Sequence, residues 1–115
     1  MTEAIQRYLQ DDIDLLLGED WDETINFYED NNDPTDTTDW EMTLEIRKSF
    51  PNGDQLDVLT TDGTRIINTP GSGQFNLLIT KEQIAAYGWT MAEYRTTLDY
   101  AGTSKVIRMG KIRVV

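Results

Sequence analysis

The chain has 115 residues, 21 of them acidic and 10 basic, and its formal net charge is −11, with no histidine and no cysteine. This length suits one domain that buries a single core. Without cysteine or histidine there is no disulfide, no thiolate or imidazole metal site and no Ser-His-Asp triad. Because so acidic a chain repels phosphate backbones, we expect no nucleic-acid partner.

The first residues differ in pattern from the rest of the chain. Ile5, Tyr8 and Leu9 have helical spacing, but a helix of about ten residues is marginal alone. We therefore interpret residues 1–11 as an arm that becomes ordered on docking against a neighbouring subunit; a frayed terminus is the alternative. No basic segment followed by an apolar one opens the chain, and no apolar run reaches the ~18 residues of a membrane span, so we expect neither a secretory signal nor a membrane partner.

Strands dominate the first half after the arm. Apolar and polar residues alternate over 12–17 and again over 21–28, with a turn at 18–20 between them. The stretch 29–38 is a loop that we expect to be too polar to bury. The alternation is strictest over 40–47, where Trp40, Met42, Leu44 and Ile46 form one apolar face. Such a face is typical of an antiparallel sheet that covers a core.

The second half adds shorter strands and one helical turn. The predicted strands are 56–59, 65–68, 75–79, 94–100 and 105–114. The turn at 61–63 predicts that the first two of these form a hairpin, and a second hairpin turn is predicted at 101–104. Thr80 and Gln83 predict a capping box for a helical turn over 81–87 that ends at Gly88. Gly110 predicts a β-bulge in the last strand.

About eight short strands at regular spacing predict the fold class. The chain is expected to be all-β, with a single antiparallel, immunoglobulin-like sandwich over residues 12–115 and one helical turn near 81–87.

Nearly all of the excess charge lies in the first third of the chain. Residues 1–41 contain 14 acids and one base, a net charge of −13, whereas residues 42–115 carry +2. Either this segment is a solvated acidic face, or it meets a basic partner. Asp30, Asp33 and Asp36 are the acidic residues that we select as candidates for such an interaction.

Few side chains suggest chemistry. The aspartates of the 29–39 region carry the oxygen ligands that Ca²⁺ prefers, but Pro34 occupies the third ligand position of an EF-hand pattern and no glycine follows. Both a solvated turn and a cation site of another kind stay open. No carboxylate has a neighbour that would raise its pKa, and no phosphate-binding loop is present. We therefore expect no catalytic residue, no metal and no cofactor. Trp89, after Gly88, is the best candidate for an exposed aromatic ring.

The order of several motifs carries a family resemblance. From about Asp12 to Val115 the chain resembles small β-sandwich virion proteins of tailed phages, related to the N-terminal domains of baseplate upper and receptor-binding proteins. The matching segments of this sequence are Gly18–Trp21, Asp36–Arg47, Gly73–Gln83, Tyr94–Leu98 and Gly110–Val114. Two positions depart from the family pattern: Thr37 stands for the usual leucine and Asp39 for the usual glycine.

The resemblance implies a function without catalysis. We expect a virion structural protein of a phage tail, baseplate or neck, made in the host cytoplasm, that assembles with copies of itself and with other virion proteins. A capsid decoration protein is one alternative. The other is a carbohydrate-binding sandwich for host attachment, which would present at least two exposed coplanar aromatic rings.

Overall fold

The computed structural model describes residues 9–115, which form two β-sheets packed face to face. The predicted all-β sandwich is confirmed. The strands are β1 (Leu9–Gln10), β2 (Ile13–Leu15), β3 (Trp21–Asn26), β4 (Glu41–Arg47), β5 (Gln55–Thr60), β6 (Ile66–Thr69), β7 (Gln74–Ile79), β8 (Met91–Tyr100) and β9 (Thr103–Val114). Within residues 9–115, one helix, α1, spans Lys81–Ala86, and a single 3-10 turn spans Pro70–Ser72.

The larger sheet has the order β1-β9-β8-β4-β5, and β2 also pairs with β9; the smaller sheet has the order β3-β7-β6. This partition of strands between two sheets is similar to that of immunoglobulin-type sandwiches. The prediction of a wholly antiparallel sandwich is wrong at one edge, because β1 and β2 run parallel to β9. The pairing joins the two ends of the described chain, which local sequence patterns cannot reveal.

The N-terminal strand lies inside the range assigned to an arm. Leu9 and Gln10 pair with Arg108 and Met109 of the same chain, so the backbone at this point is extended and not helical. Residues 1–8 of the predicted arm, with Ile5 and Tyr8, lie outside the described residues.

The core follows from the period-two alternation of the strands. In β4 and β8 every second residue is buried, including Leu44, Ile46, Tyr94 and Leu98. In β7, Phe75, Leu77 and Ile79 are buried from the opposite sheet. These side chains form one apolar cluster between the sheets, and removal of its surface from water is the main source of stability.

Helix α1 begins as the sequence predicts. The Thr80 side chain accepts the Gln83 N–H, and the Gln83 side chain accepts the Thr80 N–H, which completes the capping box. The helix ends at Ala86, and Tyr87 at the C-cap is extended, so Gly88 is not needed for a left-handed turn.

Two predictions are wrong: the hairpin of β5 and β6, and the β-bulge at Gly110. β5 and β6 do not form a hairpin: β5 pairs with β4, whereas β6 pairs with β7 in the other sheet. The tight turn after Thr60 therefore serves a crossing between sheets. The β-bulge lies at Ile107 and not at Gly110, because Thr96 pairs with Arg108 and Thr97 with Val106.

Gly110 has a different role. It pairs in register with Tyr94, and a Cβ at this position would overlap the carbonyl oxygen of Asp11 and lie 2.7 Å from its carbonyl carbon. A glycine is needed here because the backbone between β1 and β2 passes close to β9.

Candidate interaction surfaces

Residues 27–40, which join β3 to β4, form the acidic loop, with five acids and no base. Backbone hydrogen bonds fix both sides of this loop to the connection between β6 and β7: the Phe27 N–H donates to Gly73 O (2.9 Å) and the Thr37 N–H to Pro70 O (3.2 Å). Gly73 has φ +61°, and a Cβ there would lie 2.7 Å from the carbonyl oxygens of Phe27 and Thr35. The acidic loop is thus packed onto a second loop.

Two threonines anchor the acidic loop from inside, so the expectation that this stretch is too polar to bury is wrong for them. Thr35 is 2% exposed and Thr37 is 0% exposed. The Thr37 hydroxyl donates to Asn68 Oδ1 (2.8 Å), and the Asn68 amide donates to Thr37 O (2.9 Å). The Thr35 hydroxyl donates to Glu29. Because each buried hydroxyl has a partner, its burial costs little.

The tip of the acidic loop is held by its own short contacts. The Glu29 N–H donates to Asp33 O, and the Asn32 N–H donates back to Glu29 O, with Asn32 at φ +69°. The Asp33 N–H donates to the Asn31 side chain. Asp30 and Asp33 are exposed at this tip, so their charges stand on an ordered backbone.

Asp36 is exposed in the second half of the acidic loop. Its carboxylate accepts the Thr38 hydroxyl (2.6 Å) and the Thr38 N–H (3.0 Å). These hydrogen bonds, the hydroxyl contributing most, hold the pKa of Asp36 below its usual value. Asp36 is therefore fully ionised at neutral pH.

Further acids surround the base of the acidic loop. Asp39 and Glu41 line a shallow depression with Asp62, and a neighbouring one with Asp99. Asp39 takes a left-handed backbone (φ +65°), as expected of an aspartate in place of glycine. Throughout residues 9–115, no three acidic side chains come close enough together to hold a metal ion.

Three other acids of the N-terminal third, Asp11, Asp14 and Glu23, lie beside bases of β9. Arg108 forms ion pairs with Asp11 and with Glu23, and Arg113 Nε lies 2.8 Å from Asp14 Oδ1. These pairs neutralise part of the acidic segment within the molecule. The excess negative charge of the N-terminal third is therefore divided between a partly neutralised sheet edge and an exposed acidic loop.

Trp89 does not stand free. It is half-buried against the core, and its ring stacks on Tyr87 at 4.8 Å with an interplanar angle of 24°. Trp21 is also half-buried against the core. Tyr28, at 54% exposed, is the one large aromatic side chain classed as exposed in the described part of the chain. The prediction of an exposed ring at Trp89 is therefore wrong.

Tyr87 belongs to a polar cluster that joins β5 to the start of β6. Arg65 binds both carboxylate oxygens of Asp57 at 2.9 Å, and the Tyr87 hydroxyl donates to the same carboxylate. Burial opposes ionisation of Asp57, but these hydrogen bonds, with one from the Val58 N–H, outweigh it and lower the pKa of Asp57. Burial raises the pKa of Tyr87, with a further contribution from Asp57. The cluster fixes the crossing between the two sheets.

A second surface lies on the outer face of the larger sheet. Here a depression of about 440 Å³ is lined by Phe50, Glu93, Arg95, Met109 and Lys111 among others, and we call it the Phe50 depression. The Arg95 guanidinium lies 4.5 Å from the centroid of the Phe50 ring, and that of Arg47 lies 5.5 Å from it. The alternating outward charges of β4 and β8 are visible in the sequence, but the return of Phe50 over them is not.

Comparison with known proteins adds no identification. The sequence matches no model of a known protein family and no curated protein. Within residues 9–115, no helix has the length and apolar character needed to cross a membrane.

Proposed function

We propose that this chain is a non-enzymatic structural protein of a phage virion, a tail, baseplate or neck component that assembles with copies of itself and with neighbouring virion proteins. The main observation in favour of a contact surface is the acidic loop, which has exposed carboxylates on a backbone anchored by two buried threonines. An ordered charged loop loses little conformational entropy on binding, which favours its use as a docking element.

The motifs behind the phage resemblance have structural reasons in this fold. Gly73 and Gly110 lie where a Cβ would overlap backbone atoms. Thr37, at the position of the family's leucine, is fully buried, and Asp39, at the position of its glycine, has a positive φ. The two departures from the family pattern therefore occur at positions whose environments suit the family's residues. This agreement supports a shared sandwich, on which the proposed virion role rests.

The electrostatics suit assembly with basic surfaces. The acidic loop, with Glu41, Asp62 and Asp99 around its base, gathers negative charge at one end of the sandwich. Such a surface speeds encounter with a basic partner and disfavours acidic ones. The contact is expected to weaken between 0.1 and 1 M salt, where the Debye length falls from about 10 Å to about 3 Å.

The experiment is mass spectrometry of particles purified from cells infected by the phage that encodes the chain. The proposal predicts peptides of this chain in intact particles at a fixed ratio to the major tail protein. It also predicts that particles carrying Asp30→Asn, Asp33→Asn and Asp36→Asn together lose the chain at lower salt than wild-type particles do. Glu19→Gln with Glu82→Gln, exposed and outside the acidic loop, serves as the charge control. Absence of the chain from intact particles contradicts the proposal.

The alternatives separate in the same preparation. A capsid decoration protein would copurify with tailless heads, whereas a tail, baseplate or neck component would not depend on the capsid surface. The carbohydrate-binding alternative gains no support from the aromatic residues, since Trp21 and Trp89 are half-buried against the core.

A further inference from the structure

The first described segment of the chain, Leu9–Leu15, lies along the edge of the larger sheet, and we call it the N-terminal strap. It contains β1 and β2, which both run parallel to β9. Residues 16–20, which we call the hinge, connect it to β3 in the other sheet. The N-terminal strap is therefore a short segment docked on one strand and joined to the rest of the described chain through the hinge.

The contacts of the N-terminal strap with β9 are specific to its sequence. Each of its three aspartates has a partner on β9: the Arg108 guanidinium for Asp11, the Lys111 N–H for Asp12 and the Arg113 guanidinium for Asp14. Ile13 and Leu15, which alternate with them, are 2% and 0% exposed. Gly110 leaves room for the Asp11 carbonyl, where a Cβ would overlap it. The edge of β9 is thus a binding surface that fits this segment in one register.

The hinge folds back on itself and exposes apolar surface. Gly18 has φ +91°, and the Glu19 N–H donates to Leu16 O at 3.1 Å, which makes a tight turn. Leu16 and Leu17 are 47% and 61% exposed. Two adjacent exposed leucines in a turn form a surface that a neighbouring molecule would cover.

The hinge is also long enough to open. Its five residues span up to about 17 Å when they are extended, whereas packed sheets lie about 10 Å apart. Opening the turn would therefore carry the N-terminal strap away from its own β9 while β3 to β9 keep their pairing. Short hinges that hold a tight turn favour exchange of the segment that they carry.

We propose that the N-terminal strap docks on β9 of a second copy of this chain, so that copies are joined by exchange of this segment. A second copy is the occupant that the structure supports, because every copy offers the same register, the same partners for the three aspartates and the same gap at Gly110. The inference rests on the proposed function only in that copies of the chain assemble with one another.

Two assemblies follow from this contact. Reciprocal exchange gives a two-fold dimer, in which the hinges pass side by side and Leu16 and Leu17 of one copy pack against those of the other. Successive exchange, in which each N-terminal strap docks on the next copy, gives a ring or a filament. Both use the same contacts between the N-terminal strap and β9.

The test uses introduced cysteines, because the chain has none of its own. Gln10 and Met109 are register partners on β1 and β9, and both line the Phe50 depression. The single variants Gln10→Cys and Met109→Cys are refolded together from urea at high protein concentration and then oxidised. A disulfide needs Cα atoms within about 7 Å, so a specific bond between residue 10 of one chain and residue 109 of another requires exchange. We expect mass spectrometry to find this mixed disulfide.

The control is a pair of register partners within the part of the fold that does not exchange. Asp22 and Leu78 face each other on β3 and β7, and both are exposed. A mixture of Asp22→Cys and Leu78→Cys, treated in the same way, is expected to give only the background of random disulfides. Thermal unfolding of each reduced variant checks that it folds.

A second measurement reports exchange without a mixture. Gln10→Cys and Met109→Cys are combined in one chain and oxidised at low concentration, which locks the N-terminal strap on its own β9. In sedimentation equilibrium the wild type is expected to self-associate, and the locked chain to remain monomeric until the disulfide is reduced.

Two results would overturn the inference: a mixed disulfide no more abundant than in the Asp22 and Leu78 control, or a wild type that sediments like the locked chain. If either result is obtained while the chain is present in purified particles, this inference fails and the proposed function stands. Exchange in solution by a chain that is absent from intact particles would have the opposite meaning.

Discussion

Replacing Gly110 by alanine tests the close backbone approach on which the edge of the larger sheet depends. A Cβ at Gly110 would overlap the Asp11 carbonyl oxygen, so the segment between β1 and β2 has to move away from β9. Three hydrogen bonds would be lost or lengthened: the Asp11 N–H to Met109 O (2.9 Å), the Lys111 N–H to Asp12 Oδ1 (2.9 Å), and the Tyr94 hydroxyl to Asp11 O.

At about 1 kcal/mol for each hydrogen bond, Gly110→Ala is expected to lower the free energy of unfolding by about 3 kcal/mol. For 115 residues the unfolding entropy near 60 °C is about 0.24 kcal/mol/K, so the expected fall in Tm is about 12 °C. Circular dichroism during heating and urea titration measures both quantities. The matched control is Gly88→Ala, where a Cβ meets no atom within 4 Å and φ is not positive; its effect should lie within about 0.5 kcal/mol of wild type. If Gly110→Ala is as mild as this control, the close approach is refuted.

Three further predictions concern the buried polar contacts and the acidic loop. Asp57→Asn should lower the free energy of unfolding by about 2 kcal/mol at pH 7. Because the folded pKa of Asp57 is lowered, its contribution to stability is present above the unfolded value of 3.8 and is lost as pH falls through the folded pKa. The free energy of unfolding of the variant should therefore depend less on pH below about pH 4, and an unchanged dependence would contradict the cluster. Thr37→Val should lower the free energy of unfolding, measured by urea titration, by about 1–2 kcal/mol, since it leaves Asn68 Oδ1 without its donor. An unchanged free energy would count against the anchoring of the acidic loop. Thr38→Ala should raise the pKa of Asp36 towards its ordinary value in an NMR titration, and no change would mean that the hydroxyl does not hold the carboxylate.

Local patterns predicted most of the elements. The alternation over 40–47 corresponds to β4 (Glu41–Arg47), and the Thr80 and Gln83 pair forms the capping box at the start of α1. Both signals act within a few residues of chain, where the side chains that decide the structure are neighbours in sequence. The same locality explains why a sandwich of short strands could be predicted from the sequence.

The connections were less predictable because they depend on distant partners. The turn after Thr60 has the composition of a hairpin turn, yet β5 and β6 belong to different sheets because each pairs with a strand elsewhere in the chain. Gly110 predicted a bulge, whereas its actual role, a close backbone approach, depends on the position of Asp11. The parallel pairing of β1 and β2 with β9 joins residues about a hundred positions apart.

In the candidate surfaces too, local features could be predicted, whereas features that depend on distant residues could not. The sequence identified the acidic residues Asp30, Asp33 and Asp36, since charge can be counted. It did not show that Thr35 and Thr37 are buried beneath them, because their hydrogen-bond partners include Asn68, which lies 31 residues from Thr37. The pairing of one part of the acidic segment with arginines of β9 is likewise a property of the fold.

The most direct test of the account is zero-length carboxylate-to-amine cross-linking of intact particles, followed by mass spectrometry. The account predicts that carboxylates of residues 29–39 are joined to lysines of a neighbouring virion chain, and that these cross-links decrease as salt rises. Particles that contain the chain but cross-link only through acids far from this loop, such as Glu19 or Glu82, would contradict the claim that the acidic loop is its assembly surface.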